Sequence, residues 1–219
     1  MAIQGSLFDT GGVPALGVLD GDLVREELGD GAWVEHRPGW VTGTDAVFEY
    51  LLTEVPWRAE RRKMYDRIVD VPRLVAFYGE DERLPHPFLD EVRSVLAGRY
   101  GGEEGGPVRT AGLCLYRGGG DSVAWHGDTI GRGATHDTVV AIVSFGEPRR
   151  LLLRPRGAPA GGSQASGPGG GPARRYELGH GDLIVMGGTC QRTWEHAVPK
   201  TRRSVGPRIS VQFRQPGVR

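Results

Sequence analysis

The chain has 219 residues, 38% of them hydrophobic, and a formal charge of zero from 27 basic and 27 acidic side chains. That length can bury one substantial core, and all-β sandwiches and barrels commonly reach it as one domain, so a single domain over 1–219 is expected. No apolar run approaches a membrane span and Met1 to Thr10 lacks the basic-then-apolar order of a signal peptide, so no membrane association is expected and a cytoplasmic address follows by elimination.

The neutral total hides an asymmetry. Residues 1–60 hold eleven acids against three bases, whereas residues 149–219 hold thirteen Lys and Arg against three acids. A basic second half suits a polyanionic partner, and arginines scattered on solvated strand faces would give the same count. Overall neutrality speaks only against tight, indiscriminate binding to nucleic acid. Cys114 and Cys190 sit in apolar or small-residue stretches with neither a secretory signal nor zinc-type spacing, which predicts free thiols.

In chain order, residues 1–43 are Gly-rich and acidic with short apolar runs, and are expected to form a partly ordered arm. Thr44-Asp45 opens an apolar pattern through Val47, Phe48, Leu51 and Leu52, closed by Pro56, which predicts a capped amphipathic helix. A second helix is expected from Pro87 to Ala97, with Gly98 past its end. Both helices should cover a sheet, making 44–107 a supporting region.

From Val108 the pattern changes to strands: Arg109 to Tyr116, Val123 to His126, Thr138 to Phe145, Arg149 to Arg154, Asp182 to Met186 and Arg208 to Arg214. An antiparallel sandwich or barrel over 108–215 follows. Residues 157–173 contain seven glycines and three prolines, a composition that buries almost nothing and predicts a flexible insertion between two strands.

Two segments carry chemistry. In Trp125-His126-Gly127-Asp128, residues i and i+2 of an extended chain share a face, so His126 and Asp128 can aim two metal-binding groups at one point. A further histidine, such as His196, would complete two imidazoles and a carboxylate on one side of an ion, the facial triad of non-haem Fe(II) oxygenases. His-x-Asp alone is a cheap triplet, equally at home in a turn. The adjacent pair His136-Asp137 makes a weaker rival, because neighbours on a strand diverge. In Arg208-Ile209-Ser210-Val211-Gln212-Phe213-Arg214, four polar residues alternate with three apolar ones. That puts Arg208 and Arg214 on one face, as an anion pocket or as the solvated face of an edge strand. Arginine suits a carboxylate because its planar fork binds it bidentately and stays charged.

Together these segments resemble the AlkB-type Fe(II)/2-oxoglutarate dioxygenases, over about Pro72 to Gln215. The likeness rests on Leu115-Tyr116-Arg117, on His126-Gly127-Asp128 ten residues after the tyrosine, on Gly179-His180-Gly181-Asp182 leading into Met186-Gly187-Gly188, on Trp194-Glu195-His196, and on the Arg208 to Arg214 strand. Residues 71–79, Val-Pro-Arg-Leu-Val-Ala-Phe-Tyr-Gly, resemble a segment that helps form the nucleobase lid in repair members.

The resemblance implies a mainly β fold with flanking helices (α+β): a double-stranded β-helix, or jelly-roll, core with N-terminal helices and a nucleotide-recognition lid. It implies Fe(II) on His126, Asp128 and His196, with 2-oxoglutarate and O2 consumed. Tyr116 and Arg208 would hold the remote carboxylate of 2-oxoglutarate, Arg214 would neutralise the chelating end, and Cys114 and Ser210 fall where the family has an Asn beside the tyrosine and an Asn in its final motif. Gln212 replaces a Thr there. The implied activity is oxidative demethylation of N-alkylated bases in single-stranded or locally opened DNA, or in RNA, by a monomer, with release of formaldehyde, succinate and CO2. A flipped base would be sandwiched by Tyr78, with Phe77 or Trp57 as alternatives, although Phe77 also reads as core. Arg149, Arg150, Arg154 and Arg156 are candidates for phosphate contacts. Ile130 falls where repair members place an acid that reads the damaged base, with Asp137 or Thr129 as possible substitutes. Two other readings stand beside this one: the same iron chemistry on a protein or small molecule, and a non-enzymatic β-module that binds nucleic acid through its basic half.

Overall fold

The computed structural model describes residues 12–19, 23–64, 67–158 and 172–218, with the backbone alone at 61–64 and 67–70. The chain starts with β1 (Ala15–Leu16), β2 (Val24–Gly29), β3 (Ala32–Arg37) and β4 (Val41–Thr42). The β2–β3 hairpin turns on Gly29, Asp30 and Gly31, all at positive φ, which glycine and aspartate adopt at little cost. Residues 24–37 thus form strands of a sheet within the segment expected as a partly ordered arm, of which 1–11 and 20–22 lie outside the described residues. β3 buries Ala32, Trp33, Val34 and Glu35, and Trp40 is completely buried with its indole N–H donating to Gly17 at 2.8 Å.

Helix α1 (Asp45–Glu54) buries Val47, Phe48 and Leu51. Its Thr44 does not cap the helix; the hydroxyl bonds the His180 ring at 2.6 Å instead. Next come β5 (Arg58–Met64) and β6 (Arg67–Tyr78), a hairpin that the charged run Arg-Ala-Glu-Arg-Arg-Lys does not announce as strand. Helix α2 (Pro87–Tyr100) outruns the predicted end at Ala97. Burying Tyr100, whose hydroxyl donates to Glu35 at 2.5 Å, outweighs the roughly 1 kcal/mol that Gly98 costs inside a helix.

The remaining elements are β7 (Thr110–Tyr116), β8 (Val123–His126), β9 (Val140–Gly146), β10 (Arg149–Pro155), β11 (Arg174–Leu178), β12 (Leu183–Gly188), the one-turn helix α3 (Cys190–Thr193), β13 (Trp194–Val198) and β14 (Arg208–Arg214). Most of the expected insertion, residues 159–171, lies outside the described residues. Cys114 and Cys190 are free thiols. No helix among the described residues is long and apolar enough to cross a membrane.

Two antiparallel sheets face each other. The larger runs β2-β3-β12-β9-β14-β7-β6-β5 and the smaller β11-β10-β13-β8. Side chains alternate across the larger sheet, and this splits the core in two. On the outer face Ala111, Leu113, Leu115, Ala141, Val143, Phe145, Ile209, Val211 and Phe213 pack under the helices with Phe48, Leu51, Leu89, Val92 and Leu96. The inner face meets the small sheet through Tyr116, Val140, Ile142, Leu151, Leu153, Ile184, Met186, Trp194 and Val198. This is the jelly-roll core with helices on one side, and its inner space is where polar residues of β7 and β14 point.

Candidate active site

His126 ends β8 and His196 lies in the middle of β13, directly opposite it in the ladder, with ring centroids 4.2 Å apart. Asp128 follows two residues on. One ligand atom from each of these three lies within 4.8 Å of the others. They form the sole cluster of this kind among the described residues. The rival Asp137 is instead ion-paired with Arg192, outside the pocket.

The surroundings prepare each group. The His126 Nδ1 donates to the Ala124 carbonyl at 2.8 Å, and a carbonyl only accepts, so Nε2 keeps its lone pair for an ion. Burial, then repulsion from the His126 ring, pulls His196 down to about 3, so it is neutral at pH 7. Burial alone would raise the Asp128 carboxyl. Arg214, whose Nε donates to Oδ2 at 2.7 Å, together with both imidazoles outweighs this and holds it at about 2. The cluster is thus one anion and two neutral imidazoles, the protonation state a divalent cation needs.

Arg208 stands at the other end of the inner wall, 2% exposed. Its Nη2 donates to the Ser144 hydroxyl at 2.6 Å, while Nε and Nη1 have no partner. Buried donors without partners are rare and costly, so two on one guanidinium point to an anion that completes them. Tyr116 lies directly opposite Arg208, with that guanidinium 5.5 Å from its ring centre. Burial first, and Cys114 next, push its phenol up to about 12, so it stays a neutral donor. The Gln212 side chain donates to the Ser210 hydroxyl at 2.6 Å, and the Cys114 thiol lies 3.7 Å from the Gln212 carbonyl oxygen. Where the family pattern has Asn and Thr, this chain has a small network closed on itself.

These side chains line one pocket: His126, Asp128 and His196 with Cys114, Tyr116, Arg208, Ser210, Gln212 and Arg214. The donor set fits Fe(II), and the half-satisfied Arg208 fits the remote carboxylate of a keto acid. Sequence reading missed one polar lining residue, Arg73, and one residue that supports the lining, Ser144. Arg73, on β6, is 9% exposed with its Nε unpartnered, and lines the same pocket. Its alternation with Val75 and Phe77 is the signal that could have found it. Ser144, the partner of Arg208, lay inside an apolar run without any signal.

The candidates for base recognition divide. Register pairs Val75 with Cys114 and Phe77 with Gly112, which puts Phe77 on the pocket's side, 50% exposed rather than in the core. Tyr78 is the correction: one residue on, it faces the helices and packs against the outer core. Trp57 packs there too, its indole donating to Leu51 at 3.2 Å. Ile130 is 65% exposed on the loop after Asp128. Arg149 is buried and donates to the carbonyls of Gly118, Asp121 and Pro199 at 2.8 to 3.0 Å, which corrects its reading as a phosphate contact. Arg154 is held by Glu195 at 3.0 Å and stacked 4.2 Å from the centre of the Trp125 ring. Arg150 and Arg156 remain exposed.

The sequence matches the 2OG-Fe(II) oxygenase superfamily over residues 74–214. Human alpha-ketoglutarate-dependent dioxygenase alkB homolog 3 is 34% identical over 191 residues, 81% of this chain and 64% of that protein. DNA oxidative demethylase ALKBH2 of Arabidopsis thaliana is 29% identical over 198 residues, covering 76% of this chain and 60% of the relative. The chain therefore spans less than two-thirds of the length of these relatives. Of solved structures, OsALKBH1 aligns with a TM-score of 0.51 at 12% identity, covering 88% of this chain and all of that one, a likeness of fold alone. With the match extending from β6 through the last residue of β14, the chain belongs to the 2OG-Fe(II) oxygenase superfamily, whose members take their name from Fe(II) and 2-oxoglutarate.

Proposed function

We propose that the chain is an Fe(II)/2-oxoglutarate-dependent dioxygenase that oxidatively demethylates N-alkylated nucleobases in DNA or RNA, with formaldehyde, succinate and CO2 as products. The observation that carries this reading is one pocket wall with a His-Asp-His cluster at one end and a buried, half-satisfied Arg208 at the other. His126, Asp128 and His196 would hold Fe(II). Arg208 and Tyr116 would bind the remote carboxylate of 2-oxoglutarate, Arg214 would lie beside its chelating end, and Cys114 and Ser210 would line it. Held by these residues, Fe(II) and 2-oxoglutarate would supply the oxidation by O2 that turns an N-methyl group into a hydroxymethyl amine, which loses formaldehyde.

The protein's own share is orientation. Asp128 is fixed by Arg214, and burial keeps both imidazoles neutral at pH 7, so the three ligands would bring one negative charge to an ion and would leave positions on it for other groups. Nucleic acid as substrate is supported by likeness to relatives named DNA oxidative demethylase and by the half-exposed ring of Phe77 on the pocket's side, suited to stacking on a base. Arg150 and Arg156, both exposed, are candidates for phosphate contacts, with the Nε and Nη2 of Arg156 already donating to carbonyls of α3. A second reading keeps the chemistry and takes a protein or small molecule as substrate. It is favoured by Ile130, which offers no acid to read a cationic base.

The test is mass spectrometry of single-stranded DNA and RNA oligonucleotides bearing 1-methyladenine or 3-methylcytosine, incubated with Fe(II), ascorbate and 2-oxoglutarate. Loss of one CH2 from either oligonucleotide is expected. Succinate formation without any such loss would move the substrate to the second reading.

A further inference from the structure

Asp128 lies just past the end of β8 and His196 within β13, yet one short helix touches both segments. Strand β8 ends at His126, so the buried amide of Asp128 has no ladder partner there. It donates instead to the side-chain oxygen of Gln191 at 2.8 Å, and Gln191 is 1% exposed. Gln191 belongs to α3, which runs directly into β13 and His196.

The fit at this contact depends on the middle residue of the triplet. A Cβ on Gly127 would collide with the Gln191 backbone carbonyl and stand 2.8 Å from Arg156 Nη2. Arg156 holds the helix from behind. Its Nη2 donates to the Gln191 carbonyl at 3.2 Å, its Nε to Arg192 at 2.9 Å, and its backbone N–H to Thr193 at 2.8 Å.

We propose that Gln191, seated on Gly127 and braced by Arg156, is a positioning residue that sets the Asp128 carboxylate relative to His196. The proposal rests on the reading of His126, Asp128 and His196 as metal ligands. Without the Gln191 acceptor the turn carrying Asp128 is free to follow Arg214, its other tight partner, away from the histidines. Groups that orient metal ligands typically govern affinity by 10- to 100-fold.

The test is calorimetric titration of Mn(II) into the full chain, with thermal unfolding of the metal-free protein measured in parallel. Gln191→Leu keeps the side chain's bulk and removes the acceptor, and Gly127→Ala pushes the helix off. Each is expected to weaken Mn(II) binding about tenfold or more. Arg156→Ala, a surface change that leaves the core intact, is expected to weaken it by a smaller factor. Wild-type Mn(II) affinity in Gln191→Leu and Arg156→Ala, whatever their melting temperatures, overturns the proposal, since a merely structural role moves only the melting. Asp128→Ala separates the two levels of inference: Mn(II) binding that survives in it overturns the ligand assignment itself, whereas its loss there with normal binding in Gln191→Leu overturns the positioning role alone.

Discussion

The two ends of the pocket are built differently. Its inner wall is a lattice of buried, mutually fixed polar groups: Arg208 opposite Tyr116, Ser210 opposite Cys114, Gln212 opposite Gly112, and Arg214 bound to Asp128. The rim carries side chains with half or more of their surface in solvent, Phe77 and Ile130, on a hairpin and a loop. The groups proposed to hold the ion and the keto acid are locked by strand register, while those proposed to meet a substrate stand in solvent. The wall should therefore fail sharply when altered and the rim gradually.

The largest effect is expected from Asp128→Ala, which removes the single anion of the cluster and leaves Arg214 unpaired. Succinate formation should fall by about a hundredfold or more, checked by turnover at saturating Fe(II). Arg208→Ala should come next, since loss of a buried charge partner is worth roughly 3–5 kcal/mol. The KM for 2-oxoglutarate should rise steeply, and Arg208→Lys should recover only part of it because the fork is lost. At the rim, Phe77→Ala should raise the KM for a methylated oligonucleotide by the about 1–3 kcal/mol that base stacking contributes, leaving the KM for 2-oxoglutarate unchanged. Tyr78→Phe, on the opposite face, should change neither constant. A larger effect there than at Phe77 would break the division drawn from the register.

The wall also sets the acid limit. His196, His126 and Asp128 are all held below their ordinary values, so the unfolded chain takes up protons that the folded chain refuses. Stability from His196 is complete above its ordinary 6.5 and is lost as pH falls from there toward about 3, with Asp128 adding a loss below its ordinary 3.8. Urea unfolding of the metal-free protein at stepwise lower pH should show this slope, and His196→Leu should flatten it.

The wall was legible in the sequence because period-two alternation announces itself: Arg208, Ser210, Gln212 and Arg214 in one row, His126 and Asp128 in another. The rim was not. On β6 the period was readable, but its phase depends on the partner strand, and only pairing with β7 tells Phe77 from Tyr78. Strand β5 was hidden because an edge hairpin needs few apolar residues, and its Arg-Ala-Glu-Arg-Arg-Lys run reads as solvated charge. The β2–β3 hairpin did carry a signal, Gly29-Asp30-Gly31 before Trp33, but acidic neighbours masked β3, a strand buried on both faces. Arginines in the basic half looked like a surface for polyanions, and several proved to be internal ties, as Arg149 is to three carbonyls.

The central claim is that one wall holds both the ion and the keto acid, so that each depends on the other's residues. Calorimetric titration of 2-oxoglutarate into the Mn(II)-loaded chain tests it most directly. One equivalent should bind, and binding should vanish without Mn(II), in Asp128→Ala, and in Arg208→Ala. Equal binding of 2-oxoglutarate to the metal-free protein and to both variants would contradict the account.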